Sequence, residues 1–190
     1  MTMPLSDESI SKRLSLVLRH DPDAHGVVLD AEGWAQIADL LAALHRLGDD
    51  WSGLAARDIR RVVSAAGKAR HEIDGERIRA RYGHSIGVRR AEAPAVPPAI
   101  LYHGTSRSAW AAIERTGIKP MARDAVHLSS SSEAARSVGL RKDRRPVVVE
   151  VHALQAYERA QVQFWRMSES LWLAGSAIGP EFVAQWHRDE

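Results

Sequence analysis

Cysteine is absent from the 190 residues, so neither a disulfide framework nor a cysteine-based zinc site can be built, and a reducing cytoplasm is the expected compartment. Long apolar runs are missing as well. Hydrophobic residues make up 45% of the chain, yet none of the stretches approaches the roughly 20 residues that span a bilayer, and no membrane association is expected. The opening residues, MTMPLSDESI, lack the basic region and apolar core of a secretory signal. HExxH spacing does not occur and the nine histidines are scattered, so no metal is expected as a cofactor. Internal repeats and long low-complexity segments are lacking too. The formal charge is only +2, but between Arg57 and Arg90 ten Lys/Arg stand against four Asp/Glu. That local excess is a footprint suited to phosphates.

What is present first suggests three helices and a hairpin. Ser6 can cap a helix with Asp7 and Glu8 in its first turn, carried on by Ile10, Leu14 and Val17 until Asp21-Pro22 stops it. Arg19 and His20 therefore fall in its last turn, where a basic residue ordinarily offsets the macrodipole. GVVLD reads as a short extended piece. A second helix would carry Trp34, Ile37, Leu41 and Leu44 on one face and close at Gly48; a third would run from about Leu54 to Ala66 with Ile59, Val62 and Val63, and end at Gly67. RHEIDGERIRA then gives two short strands around Asp74-Gly75. Three helices and a hairpin suggest a winged-helix module, a fold that by itself does not establish function. Arg70, Arg77, Arg79 and Arg81 admit two readings, a phosphate-binding edge or the solvent face of a two-stranded ribbon.

RRAEAPAVPPA, residues 89–99, has no apolar periodicity and reads as a semi-rigid connector between residues 1–88 and 100–190. Beyond it ILYHGTS, VHLSSS, PVVVEVHA, VQFWRMS and LWLAGSAI read as strands, with helices at SRSAWAAIERTG and SEAARSVG. The whole chain is expected to be α+β. In YHGTS, read as a strand end, Gly104 would let a ligand approach the backbone, His103 offers a ring to ribose hydroxyls, and Thr105 and Ser106 add hydroxyls. His127 of VHLSSS has a similar placement. Both histidines are equally readable as interior residues.

Taken together, SKRLSLVLRHDPDAHGVVLDAEGW, RIRARYGHS, LYHGTS, AVHLSSS and FWRMSESLWLAG resemble, in order and spacing over nearly the whole chain, the NAD-dependent RNA 2'-phosphotransferases, or KptA-type proteins. The resemblance implies a winged-helix RNA lobe and an ADP-ribosyltransferase-like NAD lobe. It also implies a transferase that moves an internal RNA 2'-phosphate to NAD+, as in tRNA splicing, and releases ADP-ribose 1'',2''-cyclic phosphate. By motif it places the catalytic set on Arg19, His20, Arg70 and Arg123, and NAD+ binding on His103, Gly104, Thr105, Ser106, His127 and Ser129. The implied partners are NAD+ and a tRNA-like RNA bearing the 2'-phosphate, with a monomer as default. Two positions depart from the family pattern: His71 where an aromatic is usual, and Tyr82 where a glutamine is usual. Many protein-modifying ADP-ribosyltransferases carry a glutamate where Leu171 matches here, and a carboxylate there would repel the incoming phosphate; Glu169, two residues away, is expected on the same strand face. Alternatives are an ADP-ribosyltransferase that caps terminal phosphates of RNA or DNA, and a winged-helix nucleotide sensor without chemistry.

Overall fold

Helix α1, Asp7–Arg19, begins where the Ser6 hydroxyl accepts the Ser9 N–H at 3.2 Å, with Asp7 and Glu8 at the positive end of the dipole. Ile10, Leu14, Val17 and Leu18 are buried on one face. The structure is a computed structural model that describes residues 5–65, 70–90 and 92–187. The chain divides into two compact units, Met1–Ala91 and Glu92–Glu190, and its fold is α+β.

In the first unit the Val27–Asp30 segment is extended but pairs with no strand among the described residues. The Asp30 carboxylate accepts the N–H groups of Glu32 and Trp34, turning the chain into strand β1, Trp34–Gln36. Trp34 thus precedes helix α2, Ile37–His45, rather than lying on it. Its helical spacing to Ile37 is overridden because the ladder with strand β3 claims this backbone. On α2 the buried positions are Ile37, Leu40, Ala43 and Leu44, with Leu41 only half-buried. Gly48 does not end that helix but starts a four-residue helix α3, Asp49–Ser52, at φ +126°. Helix α4, Ala56–Ala65, buries Ile59 and Val62; the expected end at Ala66 and Gly67 lies outside the described residues.

Strands β2, His71–Asp74, and β3, Arg77–Ala80, form the hairpin. Asp74 pairs with Arg77, so the two-residue turn is Gly75-Glu76, one residue later than Asp74-Gly75. Gly75 alone of the two takes positive φ, +57°, which suits a turn whose first central residue is glycine. The sheet order is β1-β3-β2, and its inner face and the helices share one apolar core.

The second unit holds a six-stranded antiparallel sheet. Its elements are strand β4, Leu101–Thr105, helix α5, Arg107–Thr116, strand β5, Val126–Ser129, helix α6, Ser132–Gly139, strand β6, Val147–Val151, helix α7, Ala153–Ala160, and strands β7, Phe164–Arg166, β8, Leu171–Ala174, and β9, Val183–Gln185. Five strands and the helices α5 and α6 coincide with the sequence expectation, whereas α7 and the edge strand β9 were not legible. The strand order is β7-β8-β5-β4-β6-β9. Strand β4 pairs along its whole length with β6, but with β5 only through Tyr102 and Ser129. The proline-containing stretch is anchored rather than loose within this unit: Ala95 N–H donates to the Phe164 carbonyl at 2.7 Å, and the Trp165 indole donates to the Glu92 carbonyl at 3.0 Å.

Helix α6 lies so close to β4 that a Cβ at Gly104 would stand 1.7 Å from the Ala135 carbonyl oxygen. Packing alone therefore requires this glycine. Gly104→Ala is expected to destabilise the protein by about 3 kcal/mol through overpacking, while Gly53→Ala, with nothing within 4 Å of the new Cβ, should be nearly neutral. Urea denaturation of both variants checks this; equal midpoints would contradict it.

Candidate active site

The first cluster forms where α1 ends. A helix leaves its last carbonyls without intrahelical donors, and here the Arg19 carbonyl accepts the Ser85 N–H at 2.9 Å. The Ser85 hydroxyl shares a 3.0 Å hydrogen bond with Nδ1 of His20, the C-cap residue. Gly83, at φ +83°, makes the turn that returns the chain to this helix end. The guanidinium of Arg19 reaches the entry of β2, where its Nη2 donates to the Arg70 carbonyl at 3.4 Å. That carbonyl also accepts the Arg81 N–H at 3.0 Å, continuing the hairpin ladder by one step. Arg19, His20 and Arg70 are thus brought to one corner of the first unit.

The two departures from the family pattern fall on the same corner. Tyr82 lies against Arg19, whose Cζ is 5.1 Å from the ring centroid. His71 is buried and shares a 3.2 Å hydrogen bond with the Ser15 hydroxyl. Burial pushes its pKa down to about 3, and the charges of Arg19 and Arg70 add to the effect. The ring is therefore neutral at physiological pH.

The hairpin arginines divide into two groups. Arg79 donates twice to the Glu72 carboxylate, at 2.9 and 2.6 Å, Arg77 pairs with Asp74 and Asp30, and both lie over the Trp34 ring. These two belong to the charge-balanced outer face of the sheet. Arg70 and Arg81 flank the hairpin instead.

The second cluster surrounds β4. His103 and His127 lie within strands β4 and β5, not at their ends. The Nδ1 of His103 is 2.9 Å from the His127 carbonyl oxygen, which can only accept, so Nδ1 carries the hydrogen and Nε2 is left as an acceptor. Burial lowers the His103 pKa; the hydrogen bond opposes this weakly, and the charges of Lys142 and Arg123 reinforce it. The ring is a neutral acceptor suited to a hydroxyl donor such as ribose. Thr105 and Ser129 are buried. The Ser106 hydroxyl is engaged as the N-cap of α5, accepting the Ala109 N–H at 3.2 Å. His127 pairs across the ladder with Leu173, and Ser129 with Leu171.

Leu171 is half-buried at the start of β8 and does not belong to the apolar core cluster of this unit. Glu169 is exposed and precedes the strand, its carbonyl accepting the Ser130 hydroxyl at 2.8 Å. It therefore does not share a strand face with Leu171, because the chain bends at residues 168–170 before pairing begins. Lys142, whose charge acts on His103, was not singled out from the sequence; it is one of several basic residues in LRKDRR. Ser15 and Ser85 were missed as well, since a lone serine carries no local signal of a contact 56 or 65 residues away.

A model of the RNA 2'-phosphotransferase, Tpt1 / KptA family matches residues 6–176. A protein of Acetivibrio thermocellus named probable RNA 2'-phosphotransferase is 40% identical over 182 residues, covering 95% of this chain and 98% of the relative. A Streptomyces griseus protein of the same name is 42% identical, covering 92% of this chain and 94% of its own length. One from Bacillus thuringiensis subsp. konkukian is 39% identical, covering 93% and 94%.

The neutral His71 makes stability depend on pH. Its folded pKa, about 3, lies below the unfolded value near 6.5, so the unfolded chain binds the extra proton between them. The stabilisation is complete above about pH 6.5 and is lost as pH falls toward the folded pKa. From pH 6.5 to 5 this single site should cost about 2 kcal/mol. Urea denaturation across that range should show wild type losing that much more stability than His71→Gln; parallel pH dependences would contradict the assignment.

Proposed function

Because the chain belongs to the RNA 2'-phosphotransferase, Tpt1 / KptA family, we propose that it transfers an internal 2'-phosphate of RNA to NAD+, which is consumed as co-substrate. The observation that carries this reading is the convergence of Arg19, His20 and Arg70 at the end of α1. In this proposal the first unit is a winged-helix RNA lobe (residues 1–88), residues 89–99 connect, and residues 100–190 are an ADP-ribosyltransferase-like lobe that binds NAD+. The RNA is tRNA-like and the compartment cytoplasmic. His103 fits the nicotinamide ribose because its Nε2 is held as an acceptor; Thr105, Ser106, His127 and Ser129 are assigned with it, and Gly104 keeps β4 close to α6.

In the first step a 2'-phosphate oxygen attacks C1'' of the nicotinamide ribose, and the C1''–N bond breaks with its electron pair leaving on nicotinamide. The nucleophile is already anionic, so no strong base is required. In the second step the ribose 2''-hydroxyl attacks the same phosphorus and the bond to the RNA 2'-oxygen breaks. The proton lost from the 2''-hydroxyl is balanced by one gained at the RNA 2'-oxygen, and ADP-ribose 1'',2''-cyclic phosphate is released. Arg19, Arg70 and Arg123 stabilise the phosphoryl oxygens, since guanidinium forks match them in charge and geometry. The His20 imidazole, oriented through Nδ1 by Ser85, donates to the phosphate or to the departing 2'-oxygen.

Charge builds on the phosphoryl oxygens chiefly in the second step, so loss of one donor should slow that step by about a hundred- to a thousandfold. Single-turnover reactions of Arg70→Ala or Arg123→Ala with radiolabelled 2'-phosphorylated RNA should accumulate a phospho-ADP-ribosylated RNA; no adduct in either variant would refute these roles. Product analysis of wild type decides among the readings, because an adduct retained on a terminal phosphate marks a capping enzyme and no reaction marks a sensor. With arginines neutralising the phosphate, turnover is expected to persist in EDTA, measured as release of the cyclic phosphate.

A further inference from the structure

Tyr82 sits where the chain leaves β3 and turns back to the end of α1. Arg81, just before it, completes the ladder onto the Arg70 carbonyl. Ser85, just after Gly83-His84, binds the Arg19 carbonyl and the His20 ring. Residues 82–85 therefore contact Arg19 twice, through its backbone at Ser85 and through its guanidinium at Tyr82. The side-chain bond from Arg19 to the Arg70 carbonyl is long, 3.4 Å, and a bond of that length constrains orientation poorly. The ring contact, with Cζ 5.1 Å from the centroid, falls inside the range where an aromatic quadrupole attracts a cation. A ring also leaves the charge of the guanidinium unneutralised, whereas a carboxylate such as Glu72 against Arg79 accepts its donors outright.

We propose that Tyr82 is a positioning residue that holds the Arg19 guanidinium for an RNA phosphate through its π face, with no need for its hydroxyl. This rests on the proposed function, whose phosphate ligand it orients. His71 contributes from the hydrophobic side of the same corner: being neutral, it adds no third cation beside Arg19 and Arg70.

The test uses the full chain with NAD+ and a 2'-phosphorylated oligonucleotide. Tyr82→Leu should raise KM for the RNA about three- to thirtyfold, with KM for NAD+ unchanged, and Tyr82→Phe should behave as wild type. Tyr82→Gln keeps a polar side chain of similar length but removes the ring, and should match Tyr82→Leu even if the leucine variant folds poorly. In an Arg19→Ala background the loss of the ring should change nothing further. Three results would overturn the proposal: an unchanged KM in both ringless variants, a phenylalanine variant as impaired as they are, or a full additional loss on top of Arg19→Ala. Should wild type form no cyclic phosphate, the functional reading falls separately. The inference is then judged by fluorescence anisotropy, where wild type must prefer the 2'-phosphorylated oligonucleotide to its unphosphorylated twin and Tyr82→Gln must lose that preference; no preference in wild type overturns it too.

Discussion

A helix cannot satisfy its own last carbonyls, and in this protein the groups that do so for α1 also assemble the corner around Arg19. The Leu16 carbonyl takes the N–H groups of His20 and Asp21, and the Arg19 carbonyl takes that of Ser85. Satisfying the latter brings the segment after β3 against the helix end. Once it is there, Tyr82 meets the Arg19 side chain and Ser85 meets His20. The hairpin supplies Arg70 because β2 and β3 stay in register to their open ends, Arg81 N–H bonding the Arg70 carbonyl beyond the last named pair of residues. Removing that backbone hydrogen bonding would disperse residues that are more than 60 positions apart in sequence.

Two histidines are kept neutral in two ways. His71 is surrounded by apolar packing and adjacent cations, with a serine hydroxyl as its partner. His103 carries its hydrogen on the nitrogen facing a strand carbonyl, which leaves the other nitrogen able only to accept. The first is a spacer between arginines; the second presents a defined hydrogen-bonding edge. Arginine is likewise used in two ways. Arg77 and Arg79 spend their charge on carboxylates and their planes on Trp34, and they brace the outer face of a sheet. Arg19 rests on a ring and a carbonyl instead. Both kinds look identical in the run RHEIDGERIRA.

The sequence alone was sufficient for whatever depends on neighbours within a few residues. The Ser6 cap, the apolar stripe Ile10-Leu14-Val17, strands β4 to β8 and helices α5 and α6 follow from local periodicity and capping. So does the family, because the order and spacing of several short motifs are a property of the chain itself. Tertiary structure decided the rest, and in each case through a partner distant in sequence. Trp34 obeys helical spacing but pairs with β3; the hairpin turn moved by one residue because register is set across strands. Gly104 looked open to a ligand, but α6 fills the space its missing side chain leaves. Tyr82 read as a departure from a motif until the helix end drew it beneath Arg19. Periodicity is written locally, whereas strand pairing, helix-end satisfaction and close approach are settled only when distant segments compete for the same donors and the same space.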